Sequence, residues 1–121
     1  MKHILIADDV LQNRLLLKDI LMQKGFLVSE ATNGEQAVEL ARQNQPALIL
    51  MDIQMPILDG YRAIQILKAD RETEGIKIIA VTSFAMKGDQ AHIMQSGCDA
   101  YIAKPINTRA LVTKIEQVLA I

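Results

Sequence analysis

Short apolar runs and longer segments of helical spacing alternate along the chain. The runs are His3–Ala7, Leu27–Ala31, Ala47–Met51, Lys77–Thr82 and Ala100–Ala103, rich in Ile, Leu, Val and Ala with little polar alternation. Strands of a parallel sheet read this way because neither face of the strand meets water. Between the runs, apolar positions recur with helical period. The last segment is the clearest: Leu111, Ile115, Val118 and Leu119 stand at i, i+4, i+7 and i+8 and share one stripe. The first segment runs from about Leu11 to Lys24 and stops at Gly25, a residue suited to the left-handed position after a helix end. Asn33, with Gln36 three positions on, predicts a capped start for the second helix, which turns Ala37, Leu40 and Ala41 inward. A third runs from about Tyr61 to Ala69, with Ile64 and Leu67 on one face. The fourth, about Lys87 to Gln95, is the least periodic and carries Gly88 near its start, so it is the weakest helix of the set.

Strand and helix alternate five times, which calls for a parallel sheet covered on both faces, because right-handed crossovers deposit helices on either side. A chain of 121 residues suits one compact domain, expected over 1–121. At that size folding buries roughly two-thirds of the unfolded surface. Runs such as Ala47–Met51 are too short to cross a bilayer, so no membrane role is expected. The apolar stretch Ile4–Ala7 is ended at once by Asp8-Asp9, which does not fit a signal peptide, so a cytoplasmic location is the expectation. With 13 basic and 14 acidic residues and only two Tyr and two Phe, the chain has neither the charge nor the aromatic stripe of a nucleic-acid binder. Its one cysteine, Cys98, is read as a small packing residue rather than a reactive thiol.

Ligands of open parallel sheets bind beyond the carboxyl ends of the strands, where the winding direction switches. There the sequence places Asp8-Asp9 after strand one, Asp52 after strand three, Thr82 at the end of strand four and Lys104-Pro105 after strand five. Strand two ends at Thr32-Asn33, a turn and a cap. Two unit charges about 5 Å apart repel by about 3 kcal/mol at an effective dielectric of about 20. Three carboxylates in one cleft therefore call for a cation, and oxygen-only ligands point to Mg²⁺ (or Mn²⁺) rather than zinc. Asp8 and Asp9 could simply cap the first helix; Asp52 at the neighbouring strand end favours a shared metal site. A carboxylate can also attack phosphorus to form an acyl phosphate, with a hydroxyl (Thr82) and an ammonium (Lys104) to hold the phosphoryl oxygens. The plainer readings are a turn-forming Thr and a solvated Lys. The Lys104–Pro105 bond is either cis, aiming the lysine inward, or an ordinary trans bond before the last helix.

Four stretches carry a family resemblance: Ile4-Leu5-Ile6-Ala7-Asp8-Asp9; Leu50-Met51-Asp52-Ile53-Gln54-Met55-Pro56 with Asp59-Gly60; Ile79-Ala80-Val81-Thr82-Ser83; and Ala100-Tyr101-Ile102-Ala103-Lys104-Pro105. In that order they resemble the receiver domains of two-component response regulators over the whole length. The resemblance implies a flavodoxin-like (βα)5 α/β fold, with a five-stranded parallel sheet in order 2-1-3-4-5 and helices on both faces. It implies that Asp52 accepts a phosphoryl group from a phosphohistidine of a partner histidine kinase or histidine phosphotransfer protein. Asp9 would be the closest metal carboxylate, Asp8 would help through water, and the backbone carbonyl of Gln54 would complete the protein ligands. Thr82 and Lys104 would bind phosphoryl oxygens, and Tyr101 would pack inward once Thr82 moves. The stretch from Val81 to Asp89 is most similar to single-domain receivers of the cell-cycle type and to receivers attached to hybrid kinases.

A phosphoryl group adds roughly −1.5 to −2 charges and three acceptor oxygens. Meeting them requires the loops after strands four and five to shift, so Ser83 to Lys87, the fourth helix and Tyr101 form the expected mobile element. The expected output face, read by a downstream protein, is the fourth helix, fifth strand and fifth helix, including Met86, Met94, Tyr101 and Ile106. Ser83 should leave the phosphoryl group open to a donor, and Phe84 should shield the acyl phosphate and slow its hydrolysis. His3 and His92 stand away from the carboxyl strand ends, so the donor histidine belongs to another protein. A signalling domain rather than an enzyme is expected. One rival is a haloacid dehalogenase phosphohydrolase, whose nucleophile belongs on strand one in an Asp-x-Asp pattern, whereas here Asp8-Asp9-Val10 stands there. Another is a flavin or nucleotide binder, for which no Gly-rich phosphate loop is present. The third is a phosphorylation-independent scaffold of the same fold, against which the complete set of site residues argues.

Overall fold

The alternation of apolar runs and helical segments folds into β1 (His3–Ala7), α1 (Leu11–Gln23), β2 (Leu27–Ala31), α2 (Gly34–Asn44), β3 (Leu48–Asp52), α3 (Gly60–Ala69), β4 (Lys77–Thr82), α4 (Lys87–Gln95), β5 (Ala100–Ala103) and α5 (Thr108–Leu119). The structure is a computed structural model that describes residues 2–83 and 87–121, with 87–89 described as backbone only. All neighbouring strands are parallel, in the order β2-β1-β3-β4-β5.

The two-residue period of the strands divides the core into two layers. Leu5 and Ala7, Ile49 and Met51, and Ile78 and Ala80 face α2, α3 and Ile93 of α4. Their neighbours Ile4 and Ile6, Leu48 and Leu50, and Ile79 and Val81 face Leu17 and Leu21 of α1 and Leu111 and Ile115 of α5. The inner strands β1, β3 and β4 therefore carry almost no polar residue between their ends. Strand β2, at the edge of the sheet, is only half-buried and carries Ser29 and Glu30, so the expectation of a strand covered on both faces does not hold there.

The helix ends follow local chemistry. After α1, Gly25 has φ +89; its N–H reaches the Met22 carbonyl and that of Phe26 reaches Leu21, the paired bonds of a Schellman ending. Asn33 caps α2 by accepting from the Gln36 N–H at 2.8 Å. Gln36 returns its side-chain oxygen to the Thr32 N–H at 2.6 Å, one residue earlier than a capping box places it. Strand β3 is set one residue later than its apolar run suggests. Asp52 pairs with Val81 in register, and the next N–H, of Ile53, donates to the Val81 carbonyl at 3.0 Å. Asp52 is thus the buried last residue of a strand, 3 % exposed, rather than the first residue of a loop.

Two contacts near β5 have measurable consequences. Lys68 at the end of α3 donates to the carbonyls of Ile76 (2.8 Å) and Glu74 (3.3 Å) and to Asp99 Oδ2 (3.0 Å). Asp99 in turn accepts from the Ile78 N–H, so one ammonium ties α3 to the entrances of β4 and β5. Lys68→Met is expected to lower stability by about 1–2 kcal/mol, read as a lower urea midpoint at unchanged slope. Cys98 is buried, and its thiol donates to the Ile93 carbonyl at 3.3 Å. Burial pushes that thiol above its ordinary pKa of 9.0. Its alkylation by iodoacetamide at pH 8 should run roughly tenfold or more slower in the folded protein than in urea, since only the thiolate reacts. No helix among the described residues is long and apolar enough to cross a membrane.

Candidate functional site

At the carboxyl edge of the sheet, β1 and β3 run side by side, with Ala7 opposite Met51. The residues that follow, Asp8, Asp9 and Asp52, therefore project into one cleft, and they offer carboxylate oxygens that all lie within 4.8 Å of one another. Asp8 and Asp52 are buried while Asp9 is exposed. Asp8 is held from three sides: Oδ1 accepts from the Val10 N–H at 2.8 Å, Oδ2 from Asn13 at 3.2 Å, and its carbonyl from Arg14 at 2.8 Å. It steadies the turn into α1 without capping the helix, which starts after Val10 with no side-chain cap bond, and it belongs to the acidic cluster.

Lys104 reaches the same cleft from the end of β5. Its Nζ lies 3.1 Å from Asp52 Oδ2 and 3.9 Å from Asp8 Oδ2, and the Lys104–Pro105 peptide is cis. Asp52 Oδ1 accepts from the Gln54 N–H at 2.9 Å. Burial pushes the Asp52 carboxyl above its ordinary value of 3.8. The Gln54 N–H and the Lys104 ammonium pull the other way, and the Asp8 charge adds to the rise. Thr82, 1 % exposed, ends β4, and its carbonyl accepts from the Lys104 N–H at 2.8 Å. Tyr101 is half-buried on β5 against the α2–α3–α4 layer. Phe84 and Met86 lie outside the described residues.

The donor set fits a hard divalent cation. Among the described residues, three carboxylates meet one ammonium, so their negative charge is not fully offset, and the ligands they offer are oxygens. His3 and His92 are elsewhere: His3 opens β1 at the far edge, bonded to Ser29, and His92 packs on Tyr61 with ring centres 4.4 Å apart. Asn13 and Arg14 were not evident as site residues in the sequence, because their partners are a side chain and a carbonyl of Asp8 across the turn into α1. The only signal was their position in the first turn after it.

Known proteins resemble this chain in sequence and in fold. The sequence matches the family described as the response regulator receiver domain over residues 4–116. It is 42% identical over 118 residues to the polar-differentiation response regulator DivK of Brucella anthropi, covering 98% of this chain and 96% of that protein. The receiver domain of the sensor histidine kinase PA1611 from Pseudomonas aeruginosa superposes with a TM-score of 0.91 at 31% identity, covering 99% of this chain and 98% of the other; that crystal structure has a magnesium ion coordinated in its active-site cleft. A CheY-like response regulator receiver domain protein from Methanospirillum hungatei superposes equally well, with a TM-score of 0.91 at 32% identity, covering 99% and 94%. The acidic cleft at the carboxyl edge of a 2-1-3-4-5 sheet and these matches together place the chain in the response regulator receiver domain family of two-component signalling.

Proposed function

We propose that the chain is a phosphorylation-dependent switch whose Asp52 takes a phosphoryl group from the phosphohistidine of a partner kinase or phosphotransfer protein. The observation that carries this reading is the setting of Asp52: a buried strand-end carboxylate within 4.8 Å of two others and 3.1 Å from the Lys104 ammonium. Asp9, Asp8, Asp52 and the Gln54 carbonyl are the groups that would hold Mg²⁺, the ion of the Pseudomonas receiver domain. When bound, the ion offsets the charge of the carboxylates and of the phosphoryl oxygens.

Transfer breaks the donor N–P bond as an Asp52 O–P bond forms, and the donor ring, protonated on its other nitrogen, leaves as a neutral imidazole. Asp52 must be ionised to attack. Its burial opposes this, and the Gln54 N–H and Lys104 counter it. Once the group is attached, Lys104 meets its charge and Thr82 its remaining oxygen. Because the Lys104 N–H is bonded to the Thr82 carbonyl, a shift of Thr82 reaches β5 and the half-buried Tyr101. A downstream protein then reads α4, β5 and α5, where Met94 is exposed. We take residues 1–121 as one receiver domain that stores phosphoryl rather than turning over a second substrate. A strand-one nucleophile of the dehalogenase kind fits less well, since the chain reads Asp8-Asp9-Val10 there rather than Asp-x-Asp.

Incubation with acetyl phosphate and Mg²⁺ should add the mass of one phosphoryl group, and Asp52→Ala or EDTA should abolish the gain. Label that persists in Asp52→Ala would sink the proposal.

A further inference from the structure

The loop between β3 and α3, residues 53–58, closes against backbone on two sides. Gly60, at the start of α3, donates its N–H to the Ile53 carbonyl at 2.9 Å. A Cβ there would stand 2.4 Å from the Asp52 carbonyl oxygen and 2.6 Å from Ile53 Cα. On the other side Gly34, the first residue of α2, faces Leu58: a Cβ would stand 2.0 Å from the Leu58 carbonyl oxygen and 2.8 Å from its carbonyl carbon. Both obstructions are main chain, which no rotamer change can relieve.

Between the two glycines the chain turns sharply. The Leu58 N–H donates to the Pro56 carbonyl at 2.7 Å, spanning Ile57 at φ +69. Positive φ at a β-branched residue is strained. Ile57 is 76% exposed, so burial of its own side chain does not hold it there. The neighbouring contact that does is Leu58, seated on α2 and packed against the core. Gln54 belongs to the same loop, and its N–H fixes Asp52 Oδ1.

We infer that the start of α2 is the seat of this loop and that Gly34 is a positioning residue, setting where Gln54 and Asp52 present their oxygens to Mg²⁺. The inference rests on the site assignment proposed above. A methyl group at Gly34 must be cleared from 2.0 Å to at least 3.0 Å by the Leu58 oxygen. The loop is pinned at Ile53 by the Val81 carbonyl and at Gly60 by Ile53. The displacement therefore falls on residues 54–58, the stretch that carries Gln54.

The chain has no tryptophan, so Mg²⁺ titrations are followed by amide NMR. In the folded Gly34→Ala protein the Mg²⁺ dissociation constant should rise roughly tenfold, as for loss of a group that orients metal ligands. Gly97→Ala, at φ +101 on the loop before β5, is the control: it should lower Tm and leave Mg²⁺ affinity as it was. A Gly34→Ala constant within about twofold of wild type means that α2 yields instead of the loop, and overturns the inference. Should Gly34→Ala fail to fold, Ile57→Gly decides. It should keep or raise Tm while freeing the loop and weakening Mg²⁺ binding; unchanged affinity overturns the inference. Wild-type protein that binds no Mg²⁺, or binding that survives Asp9→Asn combined with Asp52→Asn, overturns the site assignment itself and is recognisable as that separate failure.

Discussion

Lys104→Ala is expected to slow phosphorylation of Asp52 by acetyl phosphate roughly 100-fold at saturating Mg²⁺, the usual loss when one preorganised donor to developing charge is removed. Its Nζ lies 3.1 Å from Asp52 Oδ2, where the proposed phosphoryl group would present its oxygens. The ammonium also helps keep Asp52 ionised against its burial. Its removal should raise the Asp52 pKa further, so the residual rate should climb with pH more steeply than that of wild type. Lys104→Arg should recover only part of the rate, because a planar guanidinium does not reproduce a compact point charge. A rate for Lys104→Ala within about threefold of wild type would show that the lysine contributes nothing at the transition state.

Asp52→Asn should stabilise the protein in metal-free buffer at pH 7. The substitution keeps an acceptor for the Gln54 N–H and removes one of three charges whose oxygens lie within 4.8 Å. After allowance for the lost attraction to Lys104, the gain should be about 1–2 kcal/mol, seen as a Tm increase of roughly 3–6 °C. Saturating Mg²⁺ should shrink or reverse the difference, because the ion stabilises the intact site by mass action. The pH dependence has a definite sign. The folded pKa of Asp52 is raised, so the folded protein binds this proton more readily than the unfolded chain. The stability gained is complete below 3.8 and is lost as pH rises through the raised value. Asp70 acts oppositely: the Glu72 N–H first, then Arg42, hold its carboxyl below 3.8, and its contribution is lost on acidification. Subtracting the Asp52→Asn stability curve from that of wild type isolates the Asp52 part. The difference should favour wild type increasingly from pH 7 towards pH 4; a flat difference would refute the raised pKa.

The fold was legible in the sequence because its main signals are local. The apolar runs mark the strands, the inner ones covered on both faces, and in a parallel sheet every strand delivers its last residues to the same edge. Asp8, Asp9, Asp52, Thr82 and Lys104 could therefore be grouped before any contact was known. Asn33 and Gln36 likewise marked the start of α2, since a cap involves residues three apart. The return bond to Thr32 was not legible, because it depends on how the preceding turn presents its N–H.

The sequence by itself determined which polar residues gather at the carboxyl ends of the strands and what chemistry they bring. The tertiary structure decided how they meet. Lys104 finds Asp52 across 52 residues, and only the packed sheet sets that distance at 3.1 Å. The same holds for Asp52 as a buried strand residue, for the cis bond at Lys104–Pro105, left open by the dipeptide, and for Asn13 and Arg14 around Asp8. It holds most plainly for Gly34, whose missing side chain matters only because a loop from the next βα unit lies against it. Periodicity and capping depend on neighbours a few residues apart, whereas clearances between elements exist only once the core has closed.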